Sequence, residues 1–222
     1  EDIIFYVASR GHHADVGGMT PGSAPANSTS VEQEGVLLNG EKLVEDGVFL
    51  EDDLRELLAT GPYPARSPDH NVADLKAQVA ACEKGTIELL AVVDHYSLAV
   101  VHAYMAHVKR NAEDSVRRLI GTLSDCSFTY GTDDGHQVSV SITVDRDTGS
   151  ATLDFTGTSG PHPGNYNAPE AVCQAAVLYV FRCMVADDIP LNAGCMEPLN
   201  LFLPTPSMIS PEYPAAVIAG NV

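Results

Sequence analysis

Along residues 138–144 apolar and polar positions alternate: Val138, Val140, Ile142 and Val144 are interleaved with Ser139, Ser141 and Thr143. A period of two is that of a half-buried strand. Asp133-Asp134-Gly135 and Asp145-Arg146-Asp147-Thr148-Gly149 read as the turns on either side. Residues 126–130 and 151–155 then read as neighbouring strands, and antiparallel pairing is the natural expectation. Residues 199–203, between Pro198 and Pro204, form one more strand. The run Ile3-Ile4-Phe5-Tyr6-Val7-Ala8 is short, apolar and rich in β-branched and aromatic residues, which predicts a buried strand.

Between these β segments the period changes. Val72, Leu75, Val79 and Cys82 have helical spacing, and Asn71 is a candidate N-cap. That pattern predicts a helix over 72–84 that Gly85 breaks, then helices over 86–95 and 98–123. Val101, Tyr104, Met105, Val108, Ala112, Val116, Leu119 and Ile120 form the stripe of the last of these. Residues 51–60 form a short helix whose acidic first turn suits the helix dipole. Residues 36–38 and 42–44 pair as a hairpin about Asn39-Gly40. Residues 170–185 are almost wholly apolar, which predicts a central helix covered on all sides. The fold class is therefore α+β, one partial domain over 1–222. Residues 1–50 hold a strand, a loop and a hairpin, 51–123 are helical, and 124–222 are β-rich with a buried helix.

Composition narrows the function classes. The 222 residues carry 12 basic and 30 acidic side chains, a net charge of −18. That opposes a nucleic-acid partner or an anionic membrane surface, and no apolar run is long enough to span a bilayer. Cysteines 82, 126, 173, 183 and 195 are odd in number, widely spaced and lack a CxxC, so reduced thiols in a cytoplasmic protein are expected, most of them in the core. Glu1-Asp2 lacks an initiator Met and residues 214–222 end apolar, as in a piece of a longer polypeptide. No Walker loop, GxGxxG or GxSxG is present, so ATP chemistry would lie outside this chain.

Chemistry concentrates in three loops. Arg10-Gly11-His12-His13-Ala14-Asp15-Val16-Gly17-Gly18 follows the first apolar run. Imidazole and carboxylate are ligands of Zn, Mn or Fe. His12 and Asp15 can converge on a turn, whereas adjacent His12 and His13 point apart on an extended chain. Gly17 and Gly18 would let a substrate approach the backbone. The same residues also fit a loop histidine bonded to its neighbour and a surface aspartate. Glu32, Gln33 and Glu34 are either extra ligands or a solvated edge. The second loop, 156–169, is dense in glycines, hydroxyls and amides; Thr156, Gly157, Thr158, Asn165 and Asn167 could line a substrate site. In the third, 187–196, Cys195 beside Gly194 is a core residue before it is a nucleophile. His95, His102 and His107 read as helix-face residues.

Residues 5–18 with Thr20-Pro21-Gly22-Ser23, then Asp154-Phe155-Thr156-Gly157-Thr158 with Gly164-Asn165-Tyr166-Asn167-Ala168-Pro169, then residues 188–195, together with 71–81, carry a further signal. In this order they resemble the hydantoinase B/oxoprolinase family, and within it the C-terminal, B-type half of 5-oxoprolinases. The resemblance implies an ATP-dependent cyclic-amide hydrolase. An A-type half or subunit binds ATP and phosphorylates the carbonyl oxygen of a small lactam, and the B-type half receives the intermediate. For 5-oxo-L-proline the product is L-glutamate. The family alternatives are an N-methylhydantoinase or an acetone-carboxylase-like subunit, and a non-catalytic docking piece is the third option. The resemblance also implies homo- or hetero-oligomers and a divalent metal, Mn or Zn with Mg as a further option. Metal and catalytic roles would fall on His12 and Asp15, with His13 as an additional ligand candidate. The family draws another Asp and His from a Gly-rich motif upstream of Glu1, so half a metal site at best is expected here.

Overall fold

A computed structural model describes residues 3–221, so the reading of the ends at Glu1-Asp2 and Val222 lies outside the described residues. The chain divides into two compact units, Glu1–Val101 and His102–Val222.

In the first unit, β1 (Val44–Glu45) and β2 (Val48–Phe49) form a two-stranded antiparallel hairpin. Its turn is Asp46-Gly47, both at positive φ (49° and 78°), which is type I′ geometry. The expected turn at Asn39-Gly40 gives way to this one because Asp-Gly fits the same turn and places Phe49 and Leu43 against a small core. That core consists of Leu54 and Leu58 from α1 (Glu51–Leu58) and Val72 and Leu75 from α2 (Pro68–Tyr96).

Helix α2 is continuous through Gly85, where the sequence predicts a break. An interior glycine costs only ~1 kcal/mol, and here it has a use. A Cβ at Gly85 would lie 2.9 Å from Val7 Cγ1, so the missing side chain makes room for the N-terminal run. The N-terminal run also departs from its expected form. Residues 3–8 form no strand, and Ile3 and Tyr6 are 72% and 88% exposed. A strand needs a neighbouring backbone; here Ile4, Phe5 and Val7 share a cavity with Cys82, Thr86, Leu89 and Leu90 of α2, whose own backbone groups are already paired. Asn71 lies inside the first turn of α2, which starts with Pro68, instead of capping it.

The second unit holds most of α3 (Leu98–Ile120) and a four-stranded sheet in the order β3 (Cys126–Gly131), β4 (Gln137–Asp145), β5 (Ser150–Asp154), β6 (Leu199–Phe202). The first three strands are antiparallel, as the alternation predicts, with Thr129 opposite Ser139 and Thr143 opposite Thr152. β6 runs parallel to β5, with Leu153 opposite Leu201. The sheet is therefore mixed, and α4 (Glu170–Met184) lies in the β5–β6 crossover. The core joins Ala112, Val116 and Ile120 of α3, Leu153 of β5, and Cys173, Val177 and Phe181 of α4. α4 is buried along that one stripe; Tyr179, Val180 and Met184 are exposed, so among the described residues it is not covered on all sides. Of the five free cysteines only Cys173 and Cys195 are buried, fewer than expected. His95, His102 and His107 are exposed on the helices, as read from sequence. No single helix among the described residues is long and apolar enough to cross a membrane.

Candidate functional site

The first locus is the histidine loop. Asp15 Oδ1 accepts from the Gly17 N–H (2.8 Å) and Oδ2 from the Gly22 N–H (2.8 Å). Arg66 Nη1 donates to both oxygens at 3.1 and 3.0 Å. Each oxygen thus carries two donors, about its lone-pair capacity. Burial pushes the Asp15 carboxyl up, but the Gly17 and Gly22 amides and Arg66 outweigh it and hold the carboxyl below its ordinary value. Asp15 closes the loop and pairs with Arg66 in this arrangement, leaving no lone pair directed at a cation. Arg66 also donates to the carbonyls of Gly17 (3.0 Å) and Gly18, and Asn71 Nδ2 to the Asp15 carbonyl at 2.8 Å.

Gly17 and Gly18 are buried, and backbone packing requires their lack of side chains. At φ +100° a Cβ on Gly17 would meet Tyr63 O at 2.3 Å; at φ +88° one on Gly18 would meet Glu34 O at 2.7 Å. His13 Nδ1 lies 3.1 Å from Asp74 Oδ2, whereas the His12 side chain is exposed and has no hydrogen bond among the described residues. His12 thus fits a metal-binding imidazole, and His13 could offer Nε2. Glu34, one of the three candidate edge residues, is buried and accepts from Ser28 Oγ at 2.7 Å.

The second locus lies in the other unit, on the 156–169 loop. The Gly157 carbonyl accepts from Gln137 Nε2 (2.9 Å), and Thr158 Oγ1 accepts from the Ser139 amide (3.1 Å), so this end of the loop is tied to β4. Thr156 and Gly157 remain exposed. Asn167 is fully buried. Its Oδ1 accepts from the His162 amide (2.7 Å), and its Nδ2 donates to the carbonyls of His162 (3.0 Å), Gly164 (3.0 Å) and Ala216 (2.9 Å). The Asn165 carbonyl, also buried, accepts from the Ala219 amide at 3.1 Å. Both asparagines shape the loop from inside.

Asn167 seats His162 against the β3–β4 turn. There His162 Nε2 is 2.6 Å from Asp134 Oδ2, and His136 Nδ1 is 3.2 Å from Asp134 Oδ1. One ligand atom from each of Asp134, His136 and His162 lies within 4.8 Å of the other two, the one such His/Cys/Asp/Glu group among the described residues. The Thr132 hydroxyl (2.5 Å) and the His136 amide (3.2 Å) donate to Asp134 Oδ1. With the two imidazoles they hold the Asp134 carboxyl far below the usual range. Beside the triad opens a cavity of about 320 Å³ lined by Tyr130, Thr132, Asp133, Asp134, His162, Tyr166 and Met208. The sequence pattern marks Asp133-Asp134-Gly135 only as a turn; His136 and His162 stand 26 residues apart in two different loops, and only the tertiary fold brings them together.

A mixed α+β unit with these loops has the fold of the solved ATP-dependent caprolactamase of Pseudomonas jessenii. That likeness has a TM-score of 0.78 at 24% identity and covers 94% of this chain and 36% of that one. An acetone carboxylase is similar in fold too, with a TM-score of 0.77 at 16% identity over 95% of this chain and 30% of that one. The sequence goes further. The hydantoinase B/oxoprolinase family model matches residues 1–222. The chain is 41% identical to 5-oxoprolinase 1 of Arabidopsis thaliana over 99% of its length. It belongs to the hydantoinase B/oxoprolinase family. It spans 19% of that relative's length.

Proposed function

We propose that the chain is a segment of the B-type half of an ATP-dependent cyclic-amide hydrolase that converts 5-oxo-L-proline to L-glutamate in the cytoplasm. The observation that carries this reading is the 41% identity to a 5-oxoprolinase over nearly the whole chain. Ketone carboxylation is the second reading, and it rests on fold likeness at 16% identity alone. An A-type half outside this chain would bind ATP and supply the phosphorylated lactam. An unstrained amide is a poor electrophile, and activation of its oxygen is what makes hydrolysis accessible.

Within this chain the Arg66–Asp15 pair and Asn71 fix the loop that presents His12. His12 would be one ligand of a divalent metal completed by residues outside the chain, Asp15 would position it, and His13 is a further candidate. When bound, such a metal lowers the pKa of a water and polarises a carbonyl. Thr156 and Gly157 are the loop residues left open to substrate. The test is the full-length protein with ATP and 5-oxoproline, hydantoins or ketones. ATP-dependent glutamate release is the expected result, and turnover of ketones with no glutamate would overturn the reading. His12→Ala should lower the Mn or Zn content of that protein; unchanged content by elemental analysis removes His12 as a ligand.

A further inference from the structure

We propose that Asp134, His136 and His162 form a second divalent-cation site of the zinc class, in the second unit and independent of the His12 loop. It does not depend on which reaction the full-length protein catalyses.

Two imidazoles and one carboxylate are a donor set for Zn²⁺ with an open fourth position. Tetrahedral coordination at about 2.0–2.1 Å puts ligand atoms roughly 3.3 Å apart. The Asp134–His136 separation of 3.2 Å already meets that, and the Asp134–His162 separation of 2.6 Å must open by less than an ångström. The three residues sit on short-range anchors: the β3–β4 turn holds Asp134 and His136, and Asn167 holds His162. His136 Nδ1 gives the independent observation. It is shut off from solvent and, despite its distance from Asp134, has no hydrogen bond of proper geometry. A buried ring nitrogen without a partner costs stability, and a cation between it and Asp134 satisfies it. The cavity lined by Tyr130 and Tyr166 faces Asp134 and His162 and offers room for a fourth, exchangeable ligand.

The geometry also fixes how the ion must enter. The Gly164 amide donates to His162 Nδ1 at 2.9 Å, so the neutral ring carries its proton on Nε2, toward Asp134. Capture of a cation at Nε2 displaces that proton. The ring then carries hydrogen on Nδ1, where it faces the Gly164 N–H, and that amide must let go. Cation binding and the Gly164 hydrogen bond therefore exclude one another.

The experiment strips the full-length protein with chelator and reloads it with Co²⁺ or Zn²⁺, counting ions per chain. His136→Gln and His162→Ala are each compared with His12→Ala. The expected result is the loss of one ion per chain and of a tetrahedral Co²⁺ visible band in both triad variants, with the band kept in His12→Ala. Zn²⁺ should also raise hydrogen exchange at the Gly164 amide. An unchanged band and count in His136→Gln, whose thermal melt verifies folding, would overturn the proposal. So would a band lost only in His12→Ala, whereas wild-type protein that holds the triad ion yet releases no glutamate from 5-oxoproline and ATP would strike the proposed function alone.

Discussion

Asn167→Ala is expected to unfold the second unit far more easily than a surface amide would. The side chain is fully buried and makes four hydrogen bonds, all to backbone groups of 162, 164 and 216. Truncation leaves the His162 amide without an acceptor, at about 1–3 kcal/mol for a buried orphan. Three carbonyls lose two shared protons, at roughly 1 kcal/mol each, since carbonyls tolerate under-satisfaction better than N–H groups. The sum is about 3–5 kcal/mol, or roughly 6–20 °C in Tm for a chain this size. Asn167→Asp separates this network from a simple cavity. It keeps the acceptor for His162 but turns a charged oxygen toward three carbonyl oxygens, so it should cost more than Ala at neutral pH. Urea midpoints of the two variants are the assay. A loss below about 1 kcal/mol for Asn167→Ala, or better tolerance of Asp than of Ala, would refute the reasoning.

Gly17→Ala should destabilise by about 2–5 kcal/mol, since positive φ and overpacking add, whereas Gly22→Ala, at φ +79° with nothing within 4 Å, should cost only the ~1–2 kcal/mol of the left-handed backbone; equal melting points would show that Tyr63 yields. Asp15, its carboxyl held below the ordinary 3.8, stabilises the fold when ionised, fully so above that value, and the contribution fades as pH falls through the lowered native value. Asp15→Asn should therefore trail the wild type in urea midpoint at neutral pH and converge on it in acid; a pH-independent gap would mean that the ion pair with Arg66 contributes nothing.

Local pattern made much of the second unit legible. The alternation at 138–144 and its flanking turns gave β3, β4 and β5, because a one-sided sheet writes its period directly into side chains. The long helical stripe gave α3 for the same reason. Gly85 misled, because a glycine's meaning depends on what approaches it, and Val7 is 78 residues away. Residues 3–8 misled because a strand-like composition does not supply a neighbour. The family was readable from three loops in register, yet the roles of Gly17, Gly18 and Asn167 were not. Each serves backbone groups distant in sequence, and side-chain chemistry alone suggests substrate contacts instead.

The order of residues by itself determined the α+β class, the main helices and the antiparallel ribbon, and the family to which the chain belongs. Those depend on short-range periodicity and on motifs that need no partner. Only the tertiary structure decided that Asp15 answers Arg66 across 51 positions, and that His162 reaches Asp134 across 28. A charge or a lone pair acts over a few ångströms of space, and sequence does not state which distant residues will share that space.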